Sequence, residues 1–163
     1  MQPLPVEGTL FAATYRGPPL RPGATACSSA MLGLYCDAPR SQSLFHRLPV
    51  DEVWHFHAGD PLRLLLLHAD GSSVDVLMGA DPLAGHAVQV VVPAGTWQAG
   101  HLVAGGRYAL FGCTVVPGFD SSMFEGGERA ALLARYPQRS ADILRFSCAP
   151  GHTRMPPLPG DAA

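Results

Sequence analysis

The stretch Phe45-His46-Arg47-Leu48-Pro49-Val50-Asp51-Glu52-Val53-Trp54-His55-Phe56-His57-Ala58-Gly59-Asp60 decides how the rest of the chain is read. His46 and Glu52 stand either side of a short turn. A strand-like run follows from Glu52 to Ala58, and Gly59-Asp60-Pro61 stops it. Side chains alternate along a regular strand, so Glu52, Trp54 and Phe56 share one face while Val53, His55 and His57 share the other. His55 and His57 therefore point away from Glu52. They read as interstrand or interface hydrogen-bonding groups rather than a two-histidine metal motif. His46 can meet Glu52 because Arg47 to Asp51 lets the chain reverse. A second stretch, Val92-Pro93-Ala94-Gly95-Thr96-Trp97-Gln98, answers the first. Its Pro-x-Gly turn throws the strand back and aims Gln98 inward.

Outward from this centre the pattern is strand after strand. Thr9 to Arg16, Ala30 to Cys36, Gln42 to Arg47, Leu62 to His68, Val74 to Met78, Val88 to Val92, Thr96 to Val103 and Tyr108 to Val116 are apolar or alternating runs. Gly, Pro and Asp clusters bound them. Such short strands, with turns every few residues, predict an all-β sandwich or barrel. The period changes only after them. Glu125 to Tyr136 carries Ala130, Leu132, Leu133 and Tyr136 at helical spacing, and Pro137 halts it. Ser140 to Phe146 is a further short element, helix or turn. The chain thus divides into an N-terminal arm over residues 1–8, a barrel domain over 9–147, and a Pro-rich tail over 148–163 expected to be disordered.

Composition narrows the class. The 163 residues suit one domain, and 47% hydrophobic residues can fill a core. With a net charge of -2 and 15% charged residues, the chain lacks the basic face that nucleic acid or an acidic membrane surface requires. No apolar run is long enough to span a membrane as a helix. Met1 to Pro5 lacks the basic and apolar regions of a secretory signal, so a cytoplasmic protein is expected. Cys36 and Cys113 lie in apolar strand runs and read as reduced, buried thiols, although a disulfide between any two of the four cysteines stays open.

The residues alone leave His46 and Glu52 with two readings, a divalent-metal site and a structural pair at the barrel rim. Gln98 adds a weak metal ligand or a hydrogen-bond partner for a substrate. At this point the chain resembles the cupin superfamily. His46, Glu52 and Gly59 match its first motif, and Pro93, Gly95 and Gln98 match its second. More narrowly, the chain is similar to the small single-domain cupin-5 branch, through Glu7-Gly8, Thr14-Tyr15-Arg16, FHRLPVDEVWHFHAGDPLRLLLL, VVPAGTW, FGCTVVPGFD with Phe124, and LLARYP. The resemblance implies a cupin jelly-roll β-barrel with a short C-terminal helix, often as a homodimer. It also implies a pocket lined by His46, Glu52 and Gln98, with room for one divalent metal ion: iron, manganese, nickel or zinc. Leu44 and Gln98 stand where many cupins place histidines, which leaves two strong ligands of the usual four.

Expected function follows from this pocket. A small organic molecule, sugar-like or another polar metabolite, would bind in the barrel mouth. The leading reading is an isomerase- or epimerase-like enzyme, with His46 as base, Tyr15 or Tyr108 as acid, and Arg16 or Arg47 as anion anchor. Glu52 shares the catalytic centre. Trp54, Phe56, Trp97 and Gln98 complete the expected substrate contacts. The alternatives are a divalent-metal-dependent oxygenase or lyase and a non-catalytic binding module.

Overall fold

The structure, a computed structural model, describes residues 1–159 and 161. Among the described residues, eleven strands form two antiparallel sheets that face each other. The first sheet runs in the order β1 (Gln2–Pro3), β2 (Leu10–Arg16), β3 (Ser29–Cys36), β10 (Tyr108–Val115), β5 (Glu52–Gly59) and β8 (Gln89–Val92). The second runs β11 (Glu125–Gly126), β4 (Ser43–Arg47), β9 (Trp97–Leu102), β6 (Leu62–Leu67) and β7 (Ser73–Met78). This is the expected jelly roll.

The run Leu62-Arg63-Leu64-Leu65-Leu66-Leu67 shows why one strand has no alternation. Leu62, Leu64 and Leu66 point into the barrel with Tyr35, Trp54 and Phe111. Leu65 and Leu67 point outward against Phe45, Leu132, Tyr136, Ile143 and Phe146. Two short helices, α1 (Arg129–Arg135) and α2 (Ser140–Phe146), supply that outer layer. With both faces covered, every leucine of β6 is buried. Each contributes about 1.5–3 kcal/mol of transfer free energy.

An aromatic layer crosses the barrel at mid-height. Trp54 stacks on Phe111 with ring centroids 4.7 Å apart, and Tyr35 meets the same ring at 4.6 Å. Two glycines make room for it. A Cβ on Gly33 would lie 2.3 Å from the Phe111 ring, and one on Gly100 would lie 2.3 Å from the Tyr35 hydroxyl. The layer separates the two ends of the barrel.

Two expectations are corrected. The helix begins at Arg129 rather than Glu125, because Glu125 and Gly126 pair with Arg47 and His46 as strand β11. The Glu128 carboxylate then caps the helix by accepting from the Ala131 N–H. The tail is not a loose segment among the residues described. Cys148 and Met155 are buried, and the Thr153 carbonyl accepts the Gly126 N–H at 2.8 Å. Leu4, Phe124 and Met155 share a small apolar cluster, with Leu158 packed against it. Apolar contact with the barrel end orders this stretch despite its prolines. Gly160, Ala162 and Ala163 of the expected tail lie outside the described residues.

Candidate functional site

The two key stretches meet at one end of the barrel. The Gly95 N–H donates to the Leu48 carbonyl at 2.8 Å, and the Ala94 N–H donates to the Asp51 carboxylate at 2.8 Å. These bonds set the Pro93–Thr96 turn against the Leu48–Asp51 turn. They bring β4, β5 and β9 into register there. His46 and Gln98 are direct cross-strand partners, while Glu52 reaches in from the facing sheet.

His46, Glu52 and Gln98 are buried together. Gln98 Nε2 donates to Glu52 Oε2 at 2.5 Å. Gln98 Oε1 accepts the indole N–H of Trp54 at 2.9 Å. Indole only donates, so this second bond fixes which way the Gln98 amide faces. His46 Nδ1 contacts the Leu44 carbonyl at 2.8 Å. A carbonyl only accepts, so Nδ1 carries the proton and Nε2 faces the pocket. His46 also stacks on Phe124, with centroids 5.3 Å apart.

A residue not singled out from the sequence as part of the site completes the centre. Glu7 enters from the N-terminal segment, and its Oε2 lies 3.9 Å from His46 Nε2. Glu7 Oε1 accepts hydroxyl donors from Ser43, at 2.7 Å, and from Thr9. The Tyr35 hydroxyl contacts Ser43 in turn. The Cys113 thiol lies beside the Glu52 carboxylate, on the neighbouring strand β10 of the same sheet. Burial, above all, holds the Glu52 carboxyl above its ordinary range; His46 and the Gln98 amide oppose this, and Glu7 adds to it. Burial and the neighbouring Glu52 push the Cys113 thiol well up, so it stays protonated.

Glu7, His46, Glu52 and Cys113 line a cavity of about 500 Å³, with Gln98, Thr9, Ser43 and Tyr35 behind its wall. Phe11, Met31, Leu48, Trp54 and Phe124 form apolar walls, and Glu7, His46 and Glu52 supply the polar groups. Tyr15 and Arg16 stand at its exposed edge, where Arg16 Nη1 donates to the Phe119 carbonyl at 3.1 Å. Met1, Gln2 and Leu4 contribute to the wall, as do Leu158, Pro159 and Asp161.

Four expected contact residues lie elsewhere. Arg47 pairs with Glu125 through two bonds of 2.9 Å and covers the Trp97 ring at 4.5 Å. Both therefore sit on the outside of the barrel, where Trp97 packs toward the helices. Phe56 packs against the barrel core. Tyr108 lies against Gly59 near the opposite end, which removes it as an acid for this cavity. His55 faces outward and meets Gln89 at 3.1 Å, the interstrand bond expected of it.

The residues present do not fit the expected metal set. Trp54 occupies the Gln98 oxygen that would have to bind the ion, and Gln98 turns its N–H donors toward Glu52. Among the described residues, no group of three or more His, Cys, Asp or Glu is arranged to hold a metal ion.

Two facing antiparallel sheets with a ligand-sized cavity at one end define the chain as a cupin-class barrel. A family comparison makes this specific: the chain belongs to the Cupin superfamily (DUF985), whose model matches residues 1–126. A protein from Shewanella oneidensis is similar at 34% identity and a TM-score of 0.78, over 87% of this chain and 88% of that one. A hypothetical protein from Leishmania major is similar at 30% identity and 0.77, over 86% and 90%. A cupin 2 conserved barrel domain protein from Rhodopseudomonas palustris shares the fold at 15% identity and 0.57, over 91% and 86%. No curated protein matches the chain.

Proposed function

We propose that the chain binds a small polar organic molecule in the Glu7–His46–Glu52 cavity and moves a proton on it, as isomerases and epimerases do. The observation that carries this reading is the placement of His46. Its Nδ1–H is tied to the Leu44 carbonyl, and its Nε2 is presented beside Glu7 at 3.9 Å in a cavity of about 500 Å³. An imidazole whose Nδ1–H is tied to a carbonyl offers Nε2 as the nitrogen that accepts a proton. In this reading His46 Nε2 takes a proton from a carbon next to a carbonyl group. Glu7 stabilises the imidazolium that results. Glu52, whose burial favours the protonated form, or Tyr15 at the edge returns a proton to the product. Apolar walls would shield the sugar-like or similar carbon skeleton, and Arg16 would anchor an anionic group.

The test is exchange of solvent deuterium into a panel of small aldoses, ketoses and hydroxy acids, followed by NMR. The expected result is enzyme-dependent incorporation at one carbon, lost in His46→Ala. Saturable binding in the cavity with no exchange in any substrate would turn the reading into a ligand-binding module. We also propose a homodimer, which light scattering at micromolar concentration would refute by returning the monomer mass.

A further inference from the structure

The opposite end of the barrel carries a second cavity of about 470 Å³, on the far side of the Tyr35–Phe111–Trp54 layer. The β3–β4 turn, the β9–β10 turn and α2 surround it. Its chemistry differs from that of the first cavity. Arg40, Arg107 and Arg145 line it, one from each of those three elements, together with His101. Asp37 is the one carboxylate in its lining.

Elsewhere Arg47, Arg63 and Arg139 each pair with a carboxylate. Among the described residues, none of the three arginines at this cavity is in an ion pair. Neighbouring groups position the backbone of Arg107 and the side chains of Arg40 and Arg145. Asp60 accepts the Arg107 N–H at 2.7 Å, and the Arg107 carbonyl accepts the Asp37 N–H at 3.2 Å. Arg40 Nε donates to Gln42 at 3.3 Å, which leaves its terminal nitrogens for another partner. Arg145 lies over the Phe146 ring at 4.8 Å, and Phe146 stacks on His101 with centroids 4.9 Å apart. His101 Nδ1 contacts the Leu102 carbonyl at 2.8 Å, so Nε2 is the imidazole nitrogen left without a protein partner. Three guanidinium groups against one carboxylate leave an excess of positive charge in this lining. Burial holds His101 below its ordinary value, and Arg145 and Arg63 push the same way against the Leu102 carbonyl and Asp142.

We infer that this end of the barrel is a second binding site, for a small molecule carrying a phosphate or diphosphate group. Guanidinium groups from separate elements suit such an anion, because each offers paired N–H donors to its oxygens. A cavity of this size holds more than the anionic group alone, so the phosphate belongs to a larger metabolite.

The test is calorimetric titration of the full chain with inorganic pyrophosphate at physiological ionic strength, with inorganic sulfate as competitor. Saturable binding at millimolar pyrophosphate or below is expected. Arg107→Ala and Arg145→Ala each weaken it roughly tenfold, the effect of losing one charged hydrogen-bond donor. Arg21→Ala, at an exposed arginine that lines neither cavity, leaves it unchanged. The three side chains are exposed, so these variants keep the wild-type melting temperature. The inference is overturned by any one of three results: no saturation, equal weakening in Arg21→Ala, or full binding in the Arg107→Ala/Arg145→Ala double variant.

Discussion

The indole N–H of Trp54 donates to Gln98 Oε1 at 2.9 Å, and this bond decides which face of the amide Glu52 meets. It is made inside the barrel, where both side chains are almost fully buried. Trp54→Phe keeps most of the apolar volume but leaves the Gln98 oxygen buried and unpaired. The expected cost is about 1–3 kcal/mol in urea unfolding. A variant as stable as wild type would mean that the amide turns over and the orientation is not fixed by Trp54.

Glu52 links stability to pH. Burial raises its carboxyl in the folded chain, so the folded state binds the proton more tightly than the unfolded one. The resulting stabilisation is present below the ordinary carboxyl range and is lost as pH rises from that range through the folded value. Glu52→Gln has no charge to bury. Relative to wild type it should gain stability across that interval and level off above it, by about 0.5–3 kcal/mol. Melting temperatures of both proteins from acid to neutral pH check this, and a difference that does not change with pH would refute it.

Thr9 and Ser43 both hold Glu7 Oε1, and both are fully buried. Thr9→Val and Ser43→Ala should each cost about 1–3 kcal/mol, because the carboxylate loses a donor it cannot replace with water. The two effects should not add, since the hydroxyls share one oxygen and lie 2.7 Å apart. A double-mutant cycle by chemical denaturation should show coupling of about 0.5 kcal/mol or more. Strict additivity would mean that the two hydroxyls act independently.

Val6 is the one non-glycine residue with a positive φ, 68°, among the described residues. A β-branched side chain is strained there, and the turn it sits in delivers Glu7 to the cavity. Glycine usually destabilises relative to alanine, but here the order should reverse. Val6→Gly should be more stable than Val6→Ala by up to about 1 kcal/mol. Thermal unfolding of the two variants decides this, and the ordinary order would show that the turn relaxes.

Much of this architecture was legible in the chain itself. Period-two alternation and glycine–proline punctuation located the strands, because burying one face of a sheet imposes that pattern locally. The turns around Pro49 and Gly95 marked where His46, Glu52 and Gln98 come together, although Gln98 is not in the cavity wall. On β10, Cys113 follows Phe111 by two residues and precedes Val115 by two, so its inward direction was also readable.

Other features came only with the tertiary structure. The β4–β9 pairing slips between Ser43 and His46, which lets both face inward although regular alternation would separate them. Glu7 reaches His46 across 39 residues of chain, through a turn with no helical or strand period. Arg47 and Trp97 look like pocket residues by position, yet they find Glu125 and each other outside the barrel. Local sequence determines which segments are extended and which residues could face a core. Register slips and long-range docking of the termini depend on the whole fold's packing, and they decided which acids and bases share the cavity.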